Sequence, residues 1–184
     1  MQNIQLDDVS AKKLWRWADK HGLPSSGVRG IEKSLDALLK KEKLKLSALS
    51  LEAIPDEIGM LTSLKELDIQ HNELSEFPEC ICNLHNLERL NIALNCIKSL
   101  PSTLVHLRLL KELDISFNFM HSFSDEVGLL PNLEVLIIEN IADKRLSKRL
   151  LLNKNLVIKL LGPSGTCFEL DEEGRLELAK NLKS

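Results

Sequence analysis

The side chains with the strongest metal-binding chemistry in this sequence are two cysteines and a nearby histidine. Cys80, Cys82 and His85 lie close together in the chain, and thiolate and imidazole are the usual ligands of zinc. A structural zinc site needs four ligands, and no second Cys/His pair follows at a usual ligand spacing. The competing interpretation is that two small side chains flank a buried Ile81 on a short turn. The sequence therefore predicts no metal site.

The remaining cysteines do not suggest disulfide bonds. The chain has four cysteines in all, at positions 80, 82, 96 and 167. Their spacing follows no small disulfide-stapled framework, and no secretion signal accompanies them. We expect free thiols in a reducing compartment.

Groups suited to acid–base or nucleophilic catalysis are equally sparse. Asp68 and Asp114 occupy equivalent positions of the repeat described below, but two strand spacings, about 10 Å, separate them. General acid–base catalysis needs an enclosed site and a shifted pKa, which an open sheet surface does not favour. The histidines are scattered, and the segment 162–166 (GPSGT) lacks the lysine of a phosphate-binding loop. The sequence predicts no catalytic residue, no cofactor and no enzyme activity.

The length and composition predict one domain with a large aliphatic core. The chain has 184 residues, a formal net charge of -3 and only 4% aromatic residues, whereas 39 residues are leucine. A nearly neutral charge argues against a dedicated nucleic-acid-binding protein, which normally presents a strongly basic face. No apolar run approaches the length of a membrane-spanning helix. The first residues are polar and acidic, so we expect no secretory signal and no membrane association.

A repeat of 23 residues determines the fold. Three consecutive units begin at Leu64, Leu87 and Leu110, without an insertion between them. Degenerate units on both sides keep the same register, although they lose the asparagine that each full unit contains. The equivalent apolar positions are Leu64, Leu87, Leu110 and Leu133; Leu67, Leu90, Leu113 and Leu136; and Ile69, Ile92, Ile115 and Ile138.

This pattern, L-x-x-L-x-L-x-x-N-x-L, resembles the leucine-rich repeat. The 23-residue unit is similar to that of intracellular proteins of the Ras-suppressor and scribble type and of bacterial cytoplasmic repeat proteins. The resemblance implies an α/β fold: a curved leucine-rich-repeat solenoid with a parallel sheet on its concave face. Asn72, Asn95 and Asn118 are then a structural ladder whose buried amides bond the backbone at each inward turn.

The ends of a solenoid expose its core, so capping segments are expected there. We assign residues 1–40 to an N-terminal helical cap, 41–153 to about five repeat units, and 154–184 to a C-terminal cap. The N-terminal cap should contain helices near 7–21 and 30–41. The C-terminal cap should contain a strand near 156–161 and a closing helix near 171–182, with Leu176, Ala179 and Leu182 facing inward.

The candidate binding residues lie on the concave face. We number each unit from its opening leucine as position 1; positions 3, 5 and 7 then point outward from the concave sheet. Position 3 alternates in charge between neighbouring units, so these side chains should pair laterally. Val135 and Ile137 are apolar at such outward positions, and either they are exposed or the C-terminal cap covers them. The predicted partner-binding residues are Glu66, Asp68, Arg89, Asn91, Glu112, Asp114, Phe117, Val135 and Ile137.

These features favour a non-catalytic module that binds another protein on its concave face. The alternative is a secreted bacterial effector or a regulatory subunit that uses the same face on a host or pathway protein. We expect a monomer in the cytoplasm, or in the host cell if the protein is an effector. Aromatic anchors within an apolar patch are typical of binding sites, and Phe117 is the strongest candidate anchor.

Overall fold

The structure, a computed structural model, describes residues 8–22, 36–120, 127–139, 146–162 and 166–181. Its centre is one seven-stranded sheet in which the strands follow their chain order. Strands β1 to β6 are parallel, and β7 joins the end antiparallel to β6. The strands are β1 (Lys43–Lys45), β2 (Glu66–Asp68), β3 (Arg89–Asn91), β4 (Glu112–Asp114), β5 (Val135–Glu139), β6 (Val157–Leu161) and β7 (Cys167–Glu169).

Short helices connect each of the strands β1 to β5 to the next strand. Four of them are 3-10 helices on the far side of the core: Asp56–Met60, Glu79–Asn83, Ser102–His106 and Val127–Leu129. The first three follow Pro55, Pro78 and Pro101, whose backbone is extended and ready to enter a turn. The 3-10 helices of neighbouring units pack so closely that a Cβ atom on Gly59 would lie 2.8 Å from the Cys80 carbonyl oxygen.

The α-helices are α1 (Asp8–Lys20), α2 (Lys148–Leu152) and α3 (Glu172–Asn181). Helix α1 packs against the first 3-10 helix, Asp56–Met60, and places Leu14 and Ala18 in the core. Of the second predicted cap helix, residues 36–39 are helical and residues 30–35 lie outside the described ranges. Helix α3 buries Ala179, but the expectation for Leu176 is wrong, since 51% of it is exposed. Leu182 lies outside the described residues.

Alternation along each strand divides core from surface. The central leucines of β1 to β4 are buried, while the residues on either side of them reach the concave surface. Each of these strands pairs with the residue 23 positions later, so identical slots of the repeat stack in rows. The α/β class, the parallel concave sheet, the N-terminal helix and the C-terminal strand and helix predicted from the repeat are confirmed.

The C-terminal end departs from the repeat. Val135 pairs with Val157, a step of 22 residues rather than 23, and β5 and β6 are five residues long instead of three. The chain then turns back to form β7, a strand that the sequence pattern did not indicate. The concave sheet therefore continues two strands beyond β5.

Candidate concave-face binding site

The concave surface of the first four strands forms an open groove of about 410 Å³. The groove brings together all six polar residues predicted to bind a partner: Glu66, Asp68, Arg89, Asn91, Glu112 and Asp114. They meet because positions 3 and 5 of successive units are in register on adjacent parallel strands. The three apolar residues of the prediction lie beyond its C-terminal end, on β5 and on the rim.

The row of position-3 side chains is a continuous ladder of ion pairs. Glu66 Oε1 lies 2.9 Å from Lys43 Nζ and also accepts a hydrogen bond from the Arg89 guanidinium. On its other side, Arg89 Nε lies 3.6 Å from Glu112 Oε2. The neighbouring Lys43 ammonium holds the pKa of the Glu66 carboxyl below its usual range. The ladder ends at Glu112, because β5 places Val135 in the next slot.

A second row of charges, one residue earlier in each unit, contains two separate ion pairs. Lys65 Nζ is 2.8 Å from Glu42 Oε1, and Lys111 Nζ is 2.7 Å from Glu88 Oε2. Its charges alternate in the opposite phase to those of position 3, so positions 2 and 3 carry opposite signs in the first four units. This row was not among the predicted features, although the charges at position 2 of the sequence alternate with the same 23-residue period. Exposed pairs of this kind contribute about 0 to 1 kcal/mol each.

The position-5 side chains cap the ends of their own strands. Asp68, Asn91 and Asp114 each use Oδ1 to accept from the backbone N–H two residues later, at 3.1, 3.0 and 3.0 Å. Asp114 also accepts from the Ser116 hydroxyl at 2.6 Å. Burial raises the pKa of Asp114, and the nearby carboxylates of Glu112 and Asp68 add to the effect, while the Ser116 hydrogen bonds oppose it.

Val135 and Ile137 are half-buried on the concave face of β5. Beside them, β6 extends the sheet and pairs Val135 with Val157 and Ile137 with Lys159. Val157 and Leu161 alternate with the buried Ile158, so they face the same side as Val135. The apolar area predicted at β5 therefore continues onto β6.

Position 8 of the repeat has an unusual backbone. Ala48, His71, Leu94 and Phe117 all occupy the left-handed region, with φ between 53° and 58°, which is uncommon for residues other than glycine. This conformation directs Leu94 and Phe117 outward at the carboxyl rim of the sheet, where they are 45% and 37% exposed. Phe119, two residues further on, is 61% exposed.

Phe117 also marks where the regular ladder ends. In the three preceding units the position-8 N–H donates to a backbone carbonyl of the next unit. The Phe117 N–H donates instead to Glu139 Oε2, at 2.7 Å. A side-chain carboxylate of β5 thus replaces the main chain at the point where the apolar surface begins.

The asparagines sit below the rim and are buried. Asn95 Nδ2 donates to the carbonyls of Ile69, Ile92 and Ala93, and its Oδ1 accepts from the Leu74 N–H at 3.1 Å. Asn118 repeats this arrangement, and Asn72 reaches two N–H groups of the preceding turn. Each amide joins its own turn to the preceding unit.

Two of the cysteines lie away from the concave face. Cys80 and Cys82 are buried in the second 3-10 helix, and burial raises the pKa of the Cys80 thiol to about 11. His85 is exposed at the following turn. Among the residues that the structure describes, no group of three or more His, Cys, Asp or Glu side chains is placed to hold a metal ion. None of the helices in the described ranges is long and apolar enough to cross a membrane.

The comparisons with known proteins agree with this architecture. A family model for a leucine-rich repeat region matches residues 31–160, most of the chain. The chain belongs to the leucine-rich repeat family. Domains of this family are generally protein-interaction modules and usually non-catalytic. No curated protein matches the sequence.

Among solved structures, this leucine-rich repeat protein is similar to a repeat protein of Leptospira interrogans, with 24% identity and a TM-score of 0.51. The match covers 94% of this chain and 56% of the other. It is also similar to a plant peptide hormone receptor solved in complex with its peptide RGF2, with 23% identity, a TM-score of 0.55, and coverage of 69% and 22%. This chain therefore spans about half or less of each, and both likenesses concern the fold.

Proposed function

We propose that this leucine-rich repeat protein binds a partner protein on its concave face and performs no catalysis there. The observation that carries the proposal is the position of half-buried apolar side chains on β5 and β6 directly beside the polar groove of β1 to β4. A surface with apolar contact area bordered by polar groups is the usual composition of a protein interface. Phe117 and Leu94 add exposed apolar area at the rim.

The groove is unsuited to catalysis because it is open to solvent along its length. Its position-5 oxygens already accept hydrogen bonds from the backbone, and its position-3 charges pair with each other. Binding a partner segment needs no change in these contacts. The plant receptor shows a repeat solenoid in complex with a peptide, which supports the same use here.

The proposal also includes the intracellular class of leucine-rich repeat and the cellular compartment of the protein. The 23-residue period from β1 to β5 and the prolines that precede three of the 3-10 helices support the intracellular class of the family. Free thiols at positions 80, 82, 96 and 167 support a reducing compartment such as the cytoplasm. The protein is expected to act as a monomer that presents one concave face.

The test is an affinity capture from the native cell's lysate with two immobilised variants beside the wild type. The face variant, Ile137→Lys/Phe117→Asn, keeps the local backbone, because lysine occupies position 5 in β1 and β6 and asparagine tolerates the left-handed region. The control variant, Leu109→Asp, changes an exposed leucine in a turn outside the concave surface. Circular dichroism and urea unfolding establish that both variants are folded.

A protein retained by the wild type and by Leu109→Asp but lost by the folded face variant supports the proposal. Equal retention of the same proteins by all three overturns it, because the contact then lies on the convex side or the caps.

A further inference from the structure

The concave face is asymmetric in charge from one end to the other. On β1 to β3 its charged side chains are three cations and two carboxylates: Lys43, Lys45, Arg89, Glu66 and Asp68. On β4 to β7 they are four carboxylates and one cation: Glu112, Asp114, Glu139, Glu169 and Lys159. Glu169 belongs to this surface because it lies directly opposite Lys159 in the antiparallel pair, and opposed residues share a face.

The two halves also differ in how far their charges are neutralised. Glu66 has cations on both sides, whereas Glu112 has Arg89 at 3.6 Å on one side and apolar Val135 on the other. Asp114 accepts hydrogen bonds from Ser116 and forms no ion pair with a described residue. Its neighbour in the next strand is Ile137. Glu112 thus shares its one cation with Glu66, and Asp114 has no ion-pair partner within the described part of the chain.

This negative strip borders the apolar area of the sheet. Val135 and Ile137 lie one strand beyond Glu112 and Asp114, at a strand spacing of about 4.8 Å, and Val157 lies one strand further. A single extended segment of a few residues spans this distance. The two kinds of surface are close enough for one ligand to use both.

Resting on the proposed function, we propose that the partner is recognised through a short segment that carries lysine or arginine beside apolar side chains. Its cation lies over Glu112 and Asp114, and its apolar side chains lie against Val135, Ile137 and Val157. An acidic segment placed there would lie over the carboxylates of Glu112 and Asp114. Charge complementarity of this kind selects partners by excluding those of the wrong sign.

Two matched substitutions test the role of the β4 carboxylates. Asp114→Asn removes one charge and keeps the local hydrogen bond, because Asn91 at the same position accepts from the backbone in the same way. Asp68→Asn makes the same change at the same position two strands away, where cations outnumber carboxylates. Neither substitution changes an apolar side chain.

The probes come from a random heptapeptide library displayed on phage and selected on the wild-type protein. The most enriched sequences are synthesised with a fluorescent label, each beside a version in which lysine and arginine are replaced by glutamine. Fluorescence anisotropy then gives Kd for the wild type, Asp114→Asn, Asp68→Asn and the face variant. We expect enrichment of basic and apolar residues, about tenfold weaker binding to Asp114→Asn, and a change within about twofold for Asp68→Asn. Added salt should weaken the binding.

Two further outcomes separate this inference from the proposed function. Enriched peptides that lack basic residues, or that bind Asp114→Asn as tightly as the wild type, overturn the inference; if the face variant loses them, the proposed function stands. Peptides that bind the face variant unchanged overturn both. A selection that enriches nothing overturns the inference alone, because it states that a short segment suffices, and the lysate capture then tests the proposed function separately.

Discussion

At the scale of single residues, the buried asparagines carry the links between units. Asn95 satisfies three carbonyls and one N–H that the turn would otherwise leave without partners. Its side chain is 5% exposed, so water cannot replace these bonds without opening the turn. An unpaired buried polar group costs about 1 to 3 kcal/mol, which makes the ladder a sensitive point of the fold.

The substitution Asn95→Ala should lower the free energy of unfolding by about 2 to 4 kcal/mol, because it removes several buried bonds at once. Urea unfolding followed by circular dichroism measures the change. Asn86→Ala is the matched control, since Asn86 is exposed and makes a single hydrogen bond to the Thr62 carbonyl. A loss for Asn95→Ala no larger than that of the control would show that the ladder is not a main support.

In contrast to the buried asparagines, the half-buried carboxyl of Asp114 lowers the stability of the fold at neutral pH. Burial raises its pKa in the folded chain, so between its unfolded and folded pKa values the folded chain binds the extra proton. The free energy of unfolding therefore falls as the pH rises through this window. At pH 7 the ionised Asp114 costs stability rather than adding to it.

Asp114→Asn should consequently be more stable than the wild type at pH 7, and the gain should vanish below the ordinary pKa of an aspartate. Thermal unfolding measured between pH 3 and pH 7 gives the comparison. A melting temperature that drops at pH 7, with no recovery at acid pH, would contradict the assignment. A stable Asp114→Asn is also what the peptide experiment requires.

At the scale of elements, the C-terminal cap depends on one side chain that reaches three backbone segments. Arg175 of α3 donates to the carbonyls of Leu170, Asn153 and Leu156, and so ties α3 to the end of α2 and the start of β6. Helix α3 buries Ala179 and packs Leu178 partly against the core, while Leu176 is exposed. The guanidinium therefore supplies contacts that a purely apolar closing helix would not provide.

Arg175→Ala should destabilise the cap by about 1 to 3 kcal/mol, because three carbonyls lose a charged donor. Arg175→Lys should restore little of this, since an ammonium lacks the planar fork of donors. Hydrogen exchange should show faster opening of β6 and β7 than of β2 and β3. Lys180→Ala, an exposed change on the same helix, is the control; equal exchange in Arg175→Ala and Lys180→Ala would refute the role of Arg175.

At the scale of the whole molecule, the arrangement of charge matters more than its total. The chain carries a formal net charge of -3, which by itself indicates no particular partner. The fold places paired charges at one end of the concave sheet and carboxylates beside apolar side chains at the other. The strands of a solenoid follow one another along its axis, so one extended partner contacts first one end of the concave sheet and then the other.

The repeat explains which parts of this molecule were predictable. Leu67, Leu90 and Leu113 recur at the same position of successive units, and a period of 23 residues allows only a stacked solenoid with these leucines inside. Because stacking places equal positions side by side, the sequence also brings Glu66, Arg89 and Glu112 into one row. The fold class and the polar half of the groove follow from this local rule.

The other features depend on contacts between units and on the end of the solenoid, where the period fails. The 22-residue step to β6, the return strand β7 and the three bonds of Arg175 arise from how the last turns pack, and no repeated residue indicates them. The periodic sequence by itself determined the core, the sheet and the rows of side chains. The tertiary structure alone decided how the concave face ends, because that surface forms only when non-equivalent segments meet.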